Sequence, residues 1–351
     1  MKHRSTSGAA LLATFLAAVV CTICDAASAA DYAVVHRFII GGKDGWDYLT
    51  YDAVRNRLFI SRSDHVQIVD PNNGKVLDDI PDTPGVHGIA LAEDVGKGFI
   101  SNGRGNSVTV FDLKSLRTVG LIRTEGGENP DFILYEPISH RVLTFNGRSH
   151  NASVIDAIGG KLVATIPLDG KPEAAVADGT GMVYVNIEDK NEITKLDAKN
   201  GTVVTKWPIR GCEEPAALAL DTQTRKLFVG CQNQLLAIVD ADNGGVVGAL
   251  PIGAGVDAAA FDAIAKLTFS SQGDGTLTVI GNGRSGTYEV VQQVATQRGA
   301  RTLALNPNNH DIYLVTAEFE EASSSSAQPR QRRVVKEGTF TLLVVSERGP
   351  R

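Results

Sequence analysis

Cysteine is scarce in this sequence, with four among 351 residues. Two of them, Cys21 and Cys24, fall inside an apolar N-terminal stretch. That leaves too few thiolates for a sulfur-ligated structural zinc site and excludes a disulfide-dense miniature scaffold. After residue 30 there is no Cys-x-x-Cys-His, so the chain attaches no c-type haem of its own. Neither a Gly-x-Ser-x-Gly elbow nor a His-Glu-x-x-His pair occurs, which removes two familiar hydrolase signatures. Positive charge is also in deficit. Without residues 1–30 there remain 32 Lys+Arg (34 less Lys2 and Arg4) and 39 Asp+Glu (40 less Asp25), a net charge of −7. An acidic chain with no basic stripe is a poor partner for a phosphate backbone, so nucleic acid is not expected as a ligand. The one basic run, Arg330 to Arg333, lies in a Ser-rich stretch and reads as a solvated loop.

Long apolar runs are missing too, apart from Ala9 to Val20. That stretch follows Lys2 and Arg4, is short for a membrane span, and precedes Ala27-Ser28-Ala29, a small-x-small cleavage pattern. Residues 1–30 therefore read as a cleaved export signal. Val20 and Ile23 precede the two cysteines where lipidation wants a small residue. The mature chain is expected in the periplasm or outside the cell, as a monomer with no membrane span. Helical patterning is scarce, whereas 36 glycines and 13 prolines are scattered throughout. That distribution suits many short strands and tight turns.

What is present is a repeat. A β-branched or aromatic hairpin motif recurs seven times, with a second core position at Phe59, Phe99, Leu143, Tyr184, Phe228, Thr268 and Tyr313, spaced 40 to 45 residues apart. After each of the first five comes an apolar pair ending in Asp (Asp70, Asp112, Asp156, Asp197, Asp240), then a Gly-containing turn and another strand. A period in the low forties with four short strands per unit predicts an all-β, seven-bladed β-propeller. The last unit is one strand short, and an orphan strand, residues 33–40, precedes the first. The N-terminal strand is thus expected to close the last blade and remove a free sheet edge. Residues 31–351 read as a single domain, with 318–338 a flexible insertion in the last blade.

The pattern R-L-F-[IV]-S/G, then V-x-[IV]-V-D-x-x-[NT]-G-K-V, I-P and P-[DE]-[GA], resembles the YncE-like, YVTN-repeat propeller family. The resemblance covers essentially all of the chain after residue 30 and is best over 57–90 and 225–260. It implies a seven-bladed periplasmic or secreted propeller. Such propellers host binding proteins, lactonases and redox-enzyme subunits, so the fold alone selects no function.

With the four strands of each unit labelled A to D from the channel outward, placing the loops by the repeat puts the D–A and B–C connections on one face, the usual ligand face. Aligning the starts of the innermost strands gives Asp47, Gly88, Asp131, Glu173, Ala216, Asp257 and Arg301, with His87 and Glu214 flanking the two small residues. Clustered carboxylates suit a hard cation such as Ca²⁺, with Asp47, Asp131, Glu173 and Asp257 as the oxygen ligands. They equally suit a cationic ligand, a general base, or a solvated polar ring. A second group, Arg62, His65, Asn102, Arg104, Asn106, Asn146, Arg148 and His150, repeats an Asn/Arg/His theme on the B–C loops. It reads either as an anion- or sugar-binding patch or as turn chemistry inherited by duplication. Cys212 precedes the first strand of the fifth unit and Cys231 ends the second, which places them side by side in a hairpin and predicts a disulfide. Three functional readings follow. The foremost is a non-catalytic binding or scaffold propeller using this face for a protein or small-molecule ligand. The others are a metal-dependent lactonase-type hydrolase and an accessory subunit of a periplasmic redox enzyme.

Overall fold

The computed structural model describes Met1 and residues 31–283, 287–320 and 334–349. The expected export signal and the centre of the expected insertion, residues 321–333, lie outside the described residues. Twenty-eight strands form seven four-stranded antiparallel sheets arranged as the blades of a propeller. Blade one runs outward through Leu49–Asp52, Arg57–Arg62, His65–Val69 and Val76–Ile80, here called strands A to D. The last blade takes strands A to C from Leu303–Leu305, Ile312–Thr316 and Thr341–Glu347. Its outer strand is Tyr32–Ile39, paired antiparallel from Tyr32↔Glu347 to Ile39↔Thr341. The two ends of the described chain thus lock one blade, as the orphan strand predicts.

Strands B and C are buried on both faces, so they read as near-continuous apolar runs, whereas the D strands alternate toward solvent. The apolar core is divided into seven clusters, and each lies between two neighbouring blades. Burial between blades, not within one, is what makes the ring cohere. At the closing blade, for example, Tyr32 meets Phe269 of blade six edge-on at 5.0 Å.

One core position differs from the sequence alignment. In blade six Asp262 pairs with Leu267, as Asp52 pairs with Arg57 in blade one. The residue equivalent to Phe59 is therefore Phe269, and Thr268 points to the opposite face. A one-residue slip flips a strand residue to the other side, and a Leu-Thr-Phe sequence hides the slip.

Glycine matters most at Gly98, in strand B of blade two opposite Phe111. A Cβ there would lie 2.0 Å from Phe111 Cζ, whereas one on Gly120 would come no nearer than 3.8 Å to Val110. Gly98→Ala is expected to destabilise the protein by about 1–3 kcal/mol through overpacking. Gly120→Ala is expected to stay within about 0.5 kcal/mol of wild type. Denaturant unfolding of the two variants side by side checks the contrast.

Candidate functional site

At the far end of the innermost strand the A–B turn is capped by a buried polar residue in six of the seven blades, whereas in blade two Ala92 leads into a short 3₁₀ turn, Glu93–Val95, without a side-chain cap. Asp52, Glu136, Asp178, Asp221 and Asp262 each accept backbone N–H bonds from the two or three residues that follow, and Asn306 does the same in the last blade. These buried groups are accounted for by turn geometry. The other end of the strands, where the D–A and B–C loops meet, is different.

There, in blades two to six, the register of strand A against strand B shifts by a β-bulge within the first residues of strand A. A bulge re-aims a side chain, and at these positions it turns residues toward the channel mouth. Pairing Val86↔Asn102, Pro130↔Asn146, Pro172↔Ile187, Pro215↔Cys231 and Val256↔Gln272 makes the next residue equivalent in each blade. The ring is therefore Asp47, His87, Asp131, Glu173, Ala216, Asp257 and Arg301. His87, not Gly88, is the member from blade two. Gly88 lies beneath, where a Cβ would press Ile133 Cγ2 at 2.9 Å.

Polar side chains from neighbouring strands clasp the backbone that carries the ring. Ser101 donates to Asp131 O at 2.5 Å, Ser271 to Arg301 O at 2.5 Å and Thr302 to Asp47 O at 2.7 Å. Asn186 donates to Ala217 O and Gln232 to Val256 O. Each clasp runs from one blade to the next, so the ring is held by the closed propeller rather than by any single loop. These positioning residues were not singled out from sequence, although the recurrent Ser after the apolar pair of strand B carries the signal.

The ring is a chain of ion pairs with one break. Asp257 Oδ2 meets Arg301 Nε at 3.1 Å, Arg301 Nη2 reaches Asp47 Oδ1 at 3.4 Å, and Asp47 Oδ2 accepts from His87 Nδ1 at 2.6 Å. His87 Nδ1 also lies 3.4 Å from Asp131 Oδ1. Glu173 pairs with Lys171 at 3.4 Å, and Lys171 also contacts Glu188, neither of which the sequence pattern suggested. The side chains of Asp47, Asp131, Glu173 and Asp257 are recessed, each 15–18% exposed. Blade five contributes only Ala216, which leaves the wall low there. On that side a recess of about 650 Å³ adjoins the ring, lined by Gln232, Asp257, Asp274, Arg298 and Arg301.

Crowding of like charge in a recessed site sets the protonation. Burial pushes Asp131 up to about 6, Glu173 to about 8 and Asp257 to about 7, and the neighbouring carboxylates add to each rise. Burial pulls His87 the other way, but the Asp47 hydrogen bond and the charges of Asp131, Asp47 and Glu173 outweigh it and hold the imidazole at about 9. Below the ring Tyr48 and Phe132 meet edge to face at 5.2 Å and floor the mouth. A cavity of about 210 Å³ continues down the channel between apolar walls.

Several sequence candidates lie elsewhere. Glu214 is exposed and takes the left-handed conformation, φ 47°, that precedes the strand. It serves the turn, its N–H donating to Asn191, and sits two residues before the ring position. Arg62 is buried, stacked 3.7 Å over Phe340 and bonded to Asp44 O and Gln67. Asn102 and Asn146 are wholly buried and hold the hydroxyls of their own hairpins. Asn106 accepts the Asn129 N–H in an adjoining loop. Arg62, Asn102 and Asn146 are therefore buried in the blades rather than presented at the surface, although Arg62 Nε, Asn102 Oδ1 and Asn146 Oδ1 find no partner among the described residues, and Asn106 is an exposed turn acceptor. His65 is tied to Asp64 at 3.0 Å, while Arg104, Arg148 and His150 are exposed on the loops. The repeated Asn-Gly-Arg is explained by packing. Gly103 leaves room for the His87 ring, to which a Cβ would come within 2.7 Å, and its N–H donates to Gly85 O as that of Gly147 does to Asn129 O. Among the described residues the grouping that brings three ligand atoms within 4.8 Å of one another is Asp47, His87 and Asp131. That differs from the four-carboxylate set, because the ring is too wide for Glu173 and Asp257 to join it. Cys212 and Cys231 form the expected disulfide, with a Cα–Cα distance of 5.4 Å.

Fold and mouth together define a seven-bladed β-propeller with a charged bowl on its loop face. Solved structures agree on the architecture. A chain titled RRP9 WD40 repeats superposes with a TM-score of 0.71 at 9% identity, covering 90% of this chain and 97% of that one. U3-55K gives 0.70 at 9% identity, over 89% and 98%. Kuenenia stuttgartiensis hydrazine synthase gives 0.68 at 18% identity, over 78% and 92%. At such identities the likeness is one of fold. No protein-family profile matches the sequence, and no curated protein matches it.

Proposed function

We propose that this is an exported binding propeller whose channel-mouth bowl takes a small organic cation. The observation that carries the reading is the surplus of recessed negative charge. Asp131, Glu173 and Asp257 stand in an arc that His87, Lys171 and Arg301 only partly neutralise, beside the low wall at Ala216. A bound cation supplies the missing charge in a site where water is largely displaced, and the aromatic floor of Tyr48 and Phe132 adds a face for it. The YVTN-like blade pattern and the Cys212–Cys231 disulfide both support work outside the cytoplasm, where disulfides persist.

Because Glu173 and Asp257 hold protons up to about 8 and 7, a cation binds by displacing them. Affinity for a simple amine is therefore expected to rise between pH 6 and pH 8, by up to about tenfold per pH unit for each proton displaced, with proton release. Calorimetry with methylammonium in buffers of different ionisation enthalpy reads both effects. Glu173→Gln is expected to weaken binding about tenfold at pH 8 while leaving stability at pH 8 equal or higher, since Gln mimics the neutral acid. Loss of both together would point to a merely structural role, and binding unaffected by pH would sink the proposal.

A second reading rests on the Asp47–His87–Asp131 grouping, which fits one divalent ion. An imidazole in the donor set suits a transition ion better than Ca²⁺. Such an ion would polarise a carbonyl in a lactone-type hydrolysis. It has to displace the proton that His87 shares with Asp47 at 2.6 Å, which places this reading second.

A further inference from the structure

Tyr48 is the one residue of the bowl whose chemistry the ion-pair ring leaves unused. Its side chain is recessed at the floor, with the whole residue 9% exposed. The four carboxylates Glu173, Asp257, Asp131 and Asp47 all act on its hydroxyl. They come from four different blades, so only a position near the propeller axis lies within reach of all of them. The backbone fixes it there, since Tyr48 N donates to His87 O and Tyr48 O accepts from Ser61 N. Among the described residues the hydroxyl has no hydrogen-bond partner, although each carboxylate nearby is a strong acceptor. Burial first, and the surrounding negative charge with it, raise its pKa well above the ordinary tyrosine value, so it stays protonated and acts as a donor.

Building on the cation reading above, we propose that the ligand is a small hydroxylated amine, an amino sugar or amino alcohol. Its ammonium group sits among the recessed carboxylates, and an oxygen of the same molecule accepts the Tyr48 hydroxyl. A bare ammonium ion satisfies the arc but has nothing to accept from Tyr48, whose hydroxyl is then left to solvent and adds no affinity. A neutral polyol has the acceptor and leaves the negative charge uncompensated. A molecule with both groups satisfies the floor and the wall together. The rest of it extends over Ala216 into the adjoining recess of about 650 Å³, where Gln232, Asp274 and Arg298 offer polar contacts suited to hydroxyls.

Three probes separate the possibilities when titrated calorimetrically at pH 8: glucosamine, glucose and methylammonium. Glucosamine is expected to bind at least about tenfold tighter than methylammonium, with glucose showing no binding at the same concentrations. Tyr48→Phe removes one oxygen and keeps the ring. It is expected to weaken glucosamine about five- to tenfold, leave methylammonium within about twofold, and leave the melting midpoint nearly unchanged. If no amine binds, the cation reading itself falls. If methylammonium binds as tightly as glucosamine, or Tyr48→Phe changes neither, the cation reading stands and the hydroxylated-amine assignment is overturned. Glucose binding as tightly as glucosamine overturns the assignment as well.

Discussion

Raising the pH from 6.5 to 9 is expected to cost the folded protein stability, and the imidazole of His87 is the group that reports it. The ordinary histidine value is near 6.5, and in the ring His87 is held at about 9. The native state therefore keeps a proton that the unfolded chain releases over this window. The stabilisation is complete below the unfolded value and is lost as pH climbs through the folded one. A rise of that size is worth ~3 kcal/mol at full strength. Partial exposure of the ring to solvent reduces the expected loss to about 1–2 kcal/mol. Glu173 and Asp257 work in the same direction at lower pH, because a carboxylate whose value is raised by folding also binds its proton more tightly in the native state. The whole bowl therefore favours mildly acidic conditions, opposite to a protein held by ordinary salt-bridged carboxylates. NMR titration of the His87 ring, beside denaturant unfolding at each pH, measures both quantities. Asp47→Asn, which removes the partner at 2.6 Å, is expected to lower the His87 midpoint by more than about one pH unit. A midpoint at or below 6.5 in the wild type would remove the argument.

The other large effect belongs to the disulfide. Cys212 and Cys231 are 19 residues apart in sequence and staple the entry to strand A of blade five to the end of strand B. Closing a loop of that length restricts the unfolded chain by about 3 kcal/mol on the chain-entropy model. The pair also lies where the ring wall is low, beside Pro215 and Ala216, so it braces the blade that contributes no charged member to the ion-pair chain. The Cys212→Ser/Cys231→Ser double variant is expected to unfold about 3 kcal/mol more easily, and reductant to produce the same shift in the wild type but none in the variant. Equal unfolding midpoints with and without reductant would show that the bond contributes nothing to stability.

The two effects act on opposite sides of the bowl. The His87 side is closed by the imidazole, which bonds Asp47 at 2.6 Å and lies 3.4 Å from Asp131, and the Ala216 side is open and stapled from behind. A ligand entering over Ala216 meets Glu173 and Asp257 first, the two carboxylates whose charge is held at the greatest cost. That asymmetry is why Glu173→Gln separates stability from binding, and why Tyr48→Phe separates one class of amine from another.

The period of the repeat, the count of blades, the closure by the N-terminal strand and the disulfide pair were all legible in the residues. Each depends on a local and recurrent cue: apolar alternation, a turn with Gly or Asn, or two cysteines at hairpin ends. The cysteines apart, such cues recur from blade to blade, so an error in one is corrected by its neighbours. Blade six shows the limit, where Leu267-Thr268-Phe269 allowed a slip of one residue that only the pairing of Asp262 with Leu267 resolves. In blade two the sequence alignment puts Gly88 at the ring position with His87 beside it, and the paired strands put His87 there instead. The bulge that brings His87 inward is a property of paired strands, and a single strand read alone does not reveal it. Arg62, Asn102 and Asn146 looked like recognition residues because Arg and Asn usually face solvent. Their burial arises from neighbouring strands and from the Phe340 ring.

The architecture can be read along the chain, because blade-forming patterns are local and their spacing sets how many blades close the circle. The residue types at the ends of the innermost strands can be read there too. What those residues are to one another depends on contacts between distant blades. Asp257, Arg301, Asp47, His87 and Asp131 come from five blades spread over the length of the chain. Closure of the propeller brings them within reach of one another, so that separate carboxylates share one recessed site above the Tyr48 and Phe132 rings.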